Sequence, residues 1–173
     1  VVFNRLEKGA DIMPLHKLAR AANRRIDILY DYTDGSTSYD DIEDPLPFDI
    51  NAPVIQVKDE DYALFYRDVS EEPKKYDGKT VSFKGQVAML RRDKNGMFAP
   101  GRFVMTCCVE DIQFAGLLTL CDADKMPENG KWYTMRLSVA YKWHKLYGRK
   151  GPVLTLQNIE PAEAPAQPVA TFY

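Results

Sequence analysis

Three cysteines fall within RFVMTCCVEDIQFAGLLTLC, residues 102–121, and they are the only cysteines of the chain. Thiolates are nucleophiles and also good ligands for zinc and similar ions. Cys107 and Cys108 are adjacent, Asp111 follows within four positions, and Cys121 closes the segment. The two histidines, His16 and His144, complete the chain's thiol and imidazole ligands. Their spacing is poor for a metal centre, because there is no CxxC pair and no HExxH motif. If Cys107 and Cys108 lie on a strand, their side chains point to opposite faces. Two ligands from that pair would then need a distorted backbone. The expectation is one cysteine buried as a small hydrophobe and one packed under a loop, with no cofactor. The alternative is zinc, with Cys107, Cys108, Asp111, Cys121 and His144 as candidate ligands. An odd number of cysteines excludes a full disulfide framework, and a bridge between adjacent residues is strained.

Cysteine catalysis needs a base within hydrogen-bond reach. His144 lies among Lys142, Lys145, Arg149 and Lys150, cations that favour a thiolate brought close to them. No GxSxG, phosphate-cradling GxxxxGK or GxGxxG motif accompanies them, so the expected function is non-catalytic. The segment KWYTMRLSVAYKWHKLYGRK interleaves Trp132, Tyr133, Tyr141, Trp143 and Tyr147 with Arg136, Lys142, Lys145, Arg149 and Lys150. That mixture suits single-stranded nucleic acid, whose bases stack on aromatic rings. Alternating core and surface positions on one strand would produce it equally, and an acidic chain disfavours phosphate. Arg102, just ahead of the cysteines, is expected to pair with Asp111 or Glu110, or else to reach an anionic ligand. The candidate ligand-binding residues are therefore Arg102, Cys107, Cys108, Asp111, Trp132, Arg136, Tyr141, Trp143 and Lys145.

These residues need a frame. Of 173 residues, 45% are hydrophobic and 28% charged, which excludes collagen-like and wholly disordered chains. No apolar run approaches the roughly 18 residues of a membrane span. The chain opens on Val1, as a piece of a longer protein would. The net charge of −2 conceals two ends: residues 26–53 hold eight acids and no Lys or Arg, whereas residues 74–160 hold fifteen Lys and Arg against eight acids. An acidic segment folded on the basic part would neutralise the field without any partner.

Residues MPLHKLARAANRR predict a helix, RIDILYDY a strand, and the Asp-, Ser- and Pro-rich stretch that follows a connector. KDEDYALFYRDVSEEP predicts a helix capped by Asp59, with Tyr62, Leu64, Phe65 and Val69 on one face and Pro73 at its end. Beyond position 78 the period becomes two, giving five strands: KTVSFKGQVAML with a bulge at Gly85, RFVMTCCV, QFAGLLTLC, WYTMRLSVAYKWH and VLTLQNIE. A long first strand, hairpin connections and no helical crossover fit a mainly β (α+β) fold. Its core would be a five-stranded, OB-like antiparallel barrel behind a helix-containing N-terminal extension. The expected units are residues 1–53, an α/β extension with the acidic connector; 54–160, the OB-like domain with its leading helix; and 161–173, a flexible Pro/Ala tail.

The pattern VIQVKDEDYALFYRDVSEEPKKYDGKTVSFKGQV followed by RFVMTCCVEDIQFAGL resembles the C-terminal domain of the YcgQ-like bacterial proteins. It does so through Tyr76, Gly78, Lys79, Gly85, Arg102, Cys107, Cys108, Asp111 and Gly116, over residues 54–160. The resemblance implies a membrane-linked parent protein, a permease or other protein as partner, and no assigned reaction. An extracytoplasmic place for the soluble part is one it allows. The expected function is thus a non-catalytic ligand- or protein-binding module of a membrane-associated assembly, with single-strand nucleic-acid binding and metal binding as the alternatives.

Overall fold

The computed structural model describes residues 45–89 and 96–172. The helix and strand expected over residues 13–32, and most of the acidic connector, lie outside the described residues. So does His16.

The chain enters through a two-residue strand, β1 (Ile55–Gln56), and then forms helix α1 (Tyr62–Glu71), which leads into a 3₁₀ turn at Pro73–Tyr76. Seven more strands follow: β2 (Thr80–Met89), β3 (Met97–Met105), β4 (Gln113–Gly116), β5 (Thr119–Leu120), β6 (Trp132–His144), β7 (Arg149–Pro161) and β8 (Val169–Thr171). The fold is mainly β. Hydrogen-bonded pairs run β2–β6–β7–β5–β3, and a further β2–β3 pairing closes that circuit of five strands. β1, β4 and β8 are added at its margins. Most pairs are antiparallel, while β1–β2, β5–β7 and β3–β8 are parallel.

α1 forms where the sequence predicts it, ending ahead of Pro73. The buried face differs in detail: Tyr62, Ala63, Phe65, Tyr66 and Val69 are inside, and Leu64 is only half-buried. Asp61, not Asp59, occupies the N-cap, with no side-chain bond there. Asp59 is engaged by Lys84 and Arg102. The helix covers the strand circuit through aromatic contacts of Tyr62 and Phe65 with Phe83, and the Tyr62 hydroxyl donates to the Ala115 carbonyl at 2.8 Å. One core holds these rings together with Ile55, Val81, Val104, Leu117, Met135, Leu137 and Leu154; it reaches back to Phe48 and forward to Ala170.

Gly85 carries no bulge. The β2–β6 register is unbroken from Thr80 to Gln86, and the irregularity of the sheet lies between β6 and β7 at Arg136/Leu137. What glycine provides here is close approach. A Cβ on Gly101, opposite Gly116 in the β3–β4 pair, would lie 2.2 Å from the Ala115 oxygen and 2.6 Å from the Gly116 Cα. Both obstacles are backbone, so the strands must separate to admit it. Gly101→Ala is expected to cost about 2 kcal/mol, measured as a lowered thermal midpoint of the purified variant.

QFAGLLTLC, expected as one strand, forms two, β4 and β5, and β7 begins at Arg149, ahead of VLTLQNIE. Both limits of β3 also differ from those the alternation predicts, and these matter for chemistry. β3 begins at Met97, directly after Gly96, which takes φ +76°. It ends at Met105, because its last antiparallel partner is Gln113, opposite Val104. Cys107 and Cys108 therefore stand outside the strand. The Pro/Ala tail is also tied down: β8 pairs with Phe103–Met105, Ala170 is buried, and the Arg67 guanidinium lies 5.5 Å over the Phe172 ring.

Candidate metal centre

The connection between β3 and β4 is the seven-residue turn Thr106–Ile112. Both stems are fixed, one by the β3–β4 and β3–β8 pairings and the other by entry into β4. Cys108 is extended (φ −154°, ψ 170°), and a 3₁₀ turn at Val109–Asp111 then reverses the chain, closed by the Asp111 N–H donating to the Cys108 carbonyl at 3.0 Å. That reversal brings residue 111 back beside residues 107 and 108.

Consequently the two thiols do not diverge. Cys107 Sγ and Cys108 Sγ are 3.7 Å apart, Cys108 Sγ is 3.7 Å from Asp111 Oδ2, and the Cys107 thiol donates to the same Asp111 oxygen. All three donor atoms lie within 4.8 Å of one another. The expectation that adjacent cysteines face opposite ways fails because side-chain alternation is a property of the pleated strand, and the strand has already ended. Glu110 Oε2 approaches Cys108 Sγ at 3.5 Å, and Thr106 Oγ1 approaches Asp111 at 3.5 Å. Both cysteines are exposed and Asp111 is half-buried. Among the described residues neither Glu110 nor Asp111 forms an ion pair with Lys or Arg.

The distances can be compared with coordination chemistry. Zinc–sulfur bonds of about 2.3 Å at tetrahedral angles place two thiolates about 3.8 Å apart, and a zinc-bound thiolate about 3.6 Å from a zinc-bound carboxylate oxygen. The Cys107–Cys108 and Cys108–Asp111 pairs are near these spacings, whereas Cys107 and Asp111 are in closer, hydrogen-bonded contact and would have to separate around an ion. An ion held there would replace the proton that the Cys107 thiol donates to Asp111, as metal binding to thiols generally does.

The remaining expected ligands sit elsewhere. Cys121 is half-buried, its Sγ is 3.1 Å from Met126 Sδ, and burial pushes its thiol pKa up. His144 lies in the β6–β7 hairpin, edge-on to Tyr147, and its Nδ1 accepts from the Leu146 N–H. Among the described residues no other three His, Cys, Asp or Glu groups converge.

Residues 32–170 match the family model described as the DUF1980 C-terminal domain. The chain belongs to that family. No curated protein matches it. The family is one of unknown function, so chemistry in this DUF1980 C-terminal domain has to be read from its own side chains.

Arg102 is 1% exposed, and it pairs with Asp59 instead of Asp111 or Glu110. Its guanidinium donates to the Asp59 carbonyl at 2.7 Å, to Asp59 Oδ1 at 3.3 Å and to the Gln167 carbonyl at 2.6 Å, and it lies against the rings of Tyr62 and Trp132. It fastens the DUF1980 domain internally. The basic aromatic segment does not assemble into one platform. Trp132 and Arg136 occupy one face of β6, while Tyr133, Tyr141 and Trp143 occupy the other. Tyr147 is bonded through its hydroxyl to the Pro152 carbonyl. Of the five aromatic residues only Trp143 is largely exposed, at 61%. It stands with exposed Lys142 and Lys145 near the hairpin tip. The local signal for the site is CVED, Cys108–Asp111: an extended cysteine ahead of a 3₁₀ turn that holds two acids, a reversal and not a strand.

Proposed function

We propose that this domain is a non-catalytic binding module whose ligand is one thiophilic divalent ion, held in the Thr106–Ile112 turn. The observation that carries this reading is the convergence of Cys107 Sγ, Cys108 Sγ and Asp111 Oδ2 within 4.8 Å of one another, with the Cys107–Cys108 and Cys108–Asp111 separations both 3.7 Å. Two thiolates and a carboxylate favour zinc over magnesium or calcium, which take all-oxygen sites. A competing disulfide is disfavoured, since adjacent Cα atoms are about 3.8 Å apart and bridged cysteines ordinarily need at least about 4.4 Å.

We read the five-strand circuit as an OB-like barrel that presents this turn at one end of β3. Among the described residues no helix is long and apolar enough to cross a membrane. A place in a membrane-associated assembly, with a permease or another protein as partner, rests on the YcgQ-like resemblance alone. Single-strand nucleic-acid binding has the weaker support, because its proposed aromatic platform is divided between two faces of β6.

The test is metal content. Protein purified without chelator, reduced, and dialysed against a zinc buffer is expected to retain one zinc per chain by elemental analysis. It is also expected to compete with a chromophoric chelator for that zinc. Metal-free protein that takes nothing from the chelator contradicts the reading.

A further inference from the structure

We infer that the ion in this turn is held as exchangeable cargo, passed by ligand substitution to incoming thiolate or imidazole donors, and is not a structural clamp. This inference rests on the metal-binding reading above and adds what the ion is for.

Structural zinc sites are closed by four protein ligands. Here three donors converge, all of them from Cys107–Asp111. Among the described residues, Glu110 Oε2 lies 3.5 Å from Cys108 Sγ but stands outside the group of three. A single exposed carboxylate, or water, is a readily displaced fourth ligand. Accessibility points the same way. Cys107, Cys108 and Glu110 are exposed, and so is Val109 at 77% between them, so an acceptor meets the ion without any part of the fold moving.

Nor does the fold need the ion. The two stems of the turn are already held by the β3–β4 and β3–β8 ladders, and the core is formed by α1 and the strand circuit. Coordination would join residues no more than four apart in sequence, which restrains little chain.

The substitution balances simply. One bond from the ion to Glu110 or water breaks as one bond to the incoming donor forms. Transfer is completed as further incoming donors bind while the Cys107 and Cys108 thiolates and the Asp111 carboxylate leave the ion, the two thiolates taking up the protons that the incoming thiols release. No electron moves, because zinc has no redox chemistry under these conditions.

Cobalt(II) makes the step visible, because thiolate-bound cobalt absorbs by charge transfer. The cobalt-loaded domain is mixed in stopped flow with a synthetic peptide carrying a Cys-X-X-Cys pair, over a range of peptide concentrations. Loss of the domain's own charge-transfer band is followed. A fourth position open to entry predicts that a tenfold increase in peptide speeds release about tenfold. The chelator-stripped domain is expected to melt cooperatively, as a folded protein. A release rate independent of peptide concentration, or a stripped domain that is unfolded, overturns the cargo inference while leaving metal binding intact. Failure to bind cobalt or zinc at all overturns the underlying reading, so the two failures are told apart.

Discussion

Replacing Cys107 and Cys108 together by serine is expected to weaken zinc binding by at least about a thousandfold, since the thiolates supply most of the affinity of such a site. The two sulfurs are the pair whose 3.7 Å separation matches a tetrahedral edge, and neither Cys121 nor His144 is placed to replace them. Asp111→Asn keeps an oxygen in place but removes its charge, and a loss of roughly tenfold to a hundredfold is expected, on the scale seen when a metal site loses a supporting group. Both sets of variants alter an exposed turn outside the core, so the metal-free melting midpoint is expected to move by no more than about 0.5 kcal/mol equivalent. Chelator competition measures the first effect and thermal melting the second. Undiminished zinc affinity in the double variant would remove Cys107 and Cys108 from the site.

The second large effect lies at Arg102. Its guanidinium is enclosed, and three of its hydrogen bonds reach residues 43 and 65 positions away. Two of the acceptors are backbone carbonyls, one ahead of α1 and one just before β8. One side chain therefore joins both ends of the domain to β3. Burial pushes the guanidinium pKa down from its usual range, and the nearby Asp59 carboxylate opposes that shift. Arg102→Ala leaves a cavity between Tyr62 and Trp132 and strips those carbonyls of their donors. Because Asp59 is about a third exposed, water recovers part of its solvation, which holds the loss below that of a fully enclosed ion pair. A destabilisation of about 3 kcal/mol follows from the cavity and the lost bonds. For a domain of this size that is about a 10 °C drop in melting temperature. Arg102→Lys is expected to recover only a minor part, because an ammonium cannot reproduce the planar fork that spans Asp59 and Gln167. A variant melting within a degree or two of the parent would show that Arg102 is not the fastener described.

Much of the frame was legible in the residues. Helical spacing in KDEDYALFYRDVSEEP gave α1, and the period of two beyond position 78 gave the main strands, since burial against a common core dictates both patterns. What could not be read were features fixed at a distance. β3 stops where Gln113 ceases to pair, not where alternation in VMTCCV fades, so the thiols lie beyond the strand that the alternation predicts. β8 is short and lies in a Pro/Ala-rich tail, and it is ordered by Phe103–Met105 across the sheet. Arginine is ordinarily exposed, and nothing near Arg102 in sequence announces that Asp59 and Gln167 enclose it. For the site, residue types alone marked Cys107, Cys108 and Asp111. Their convergence depends on the backbone reversal at Val109–Asp111, which only the three-dimensional structure supplies.

Whether both adjacent thiolates bind one ion is decided by X-ray absorption at the zinc edge of the loaded domain. Two sulfur scatterers are expected at about 2.3 Å, with the remaining ligands light atoms at about 2.0–2.2 Å. A first shell of oxygen and nitrogen alone, or of a single sulfur, would contradict binding by both thiolates.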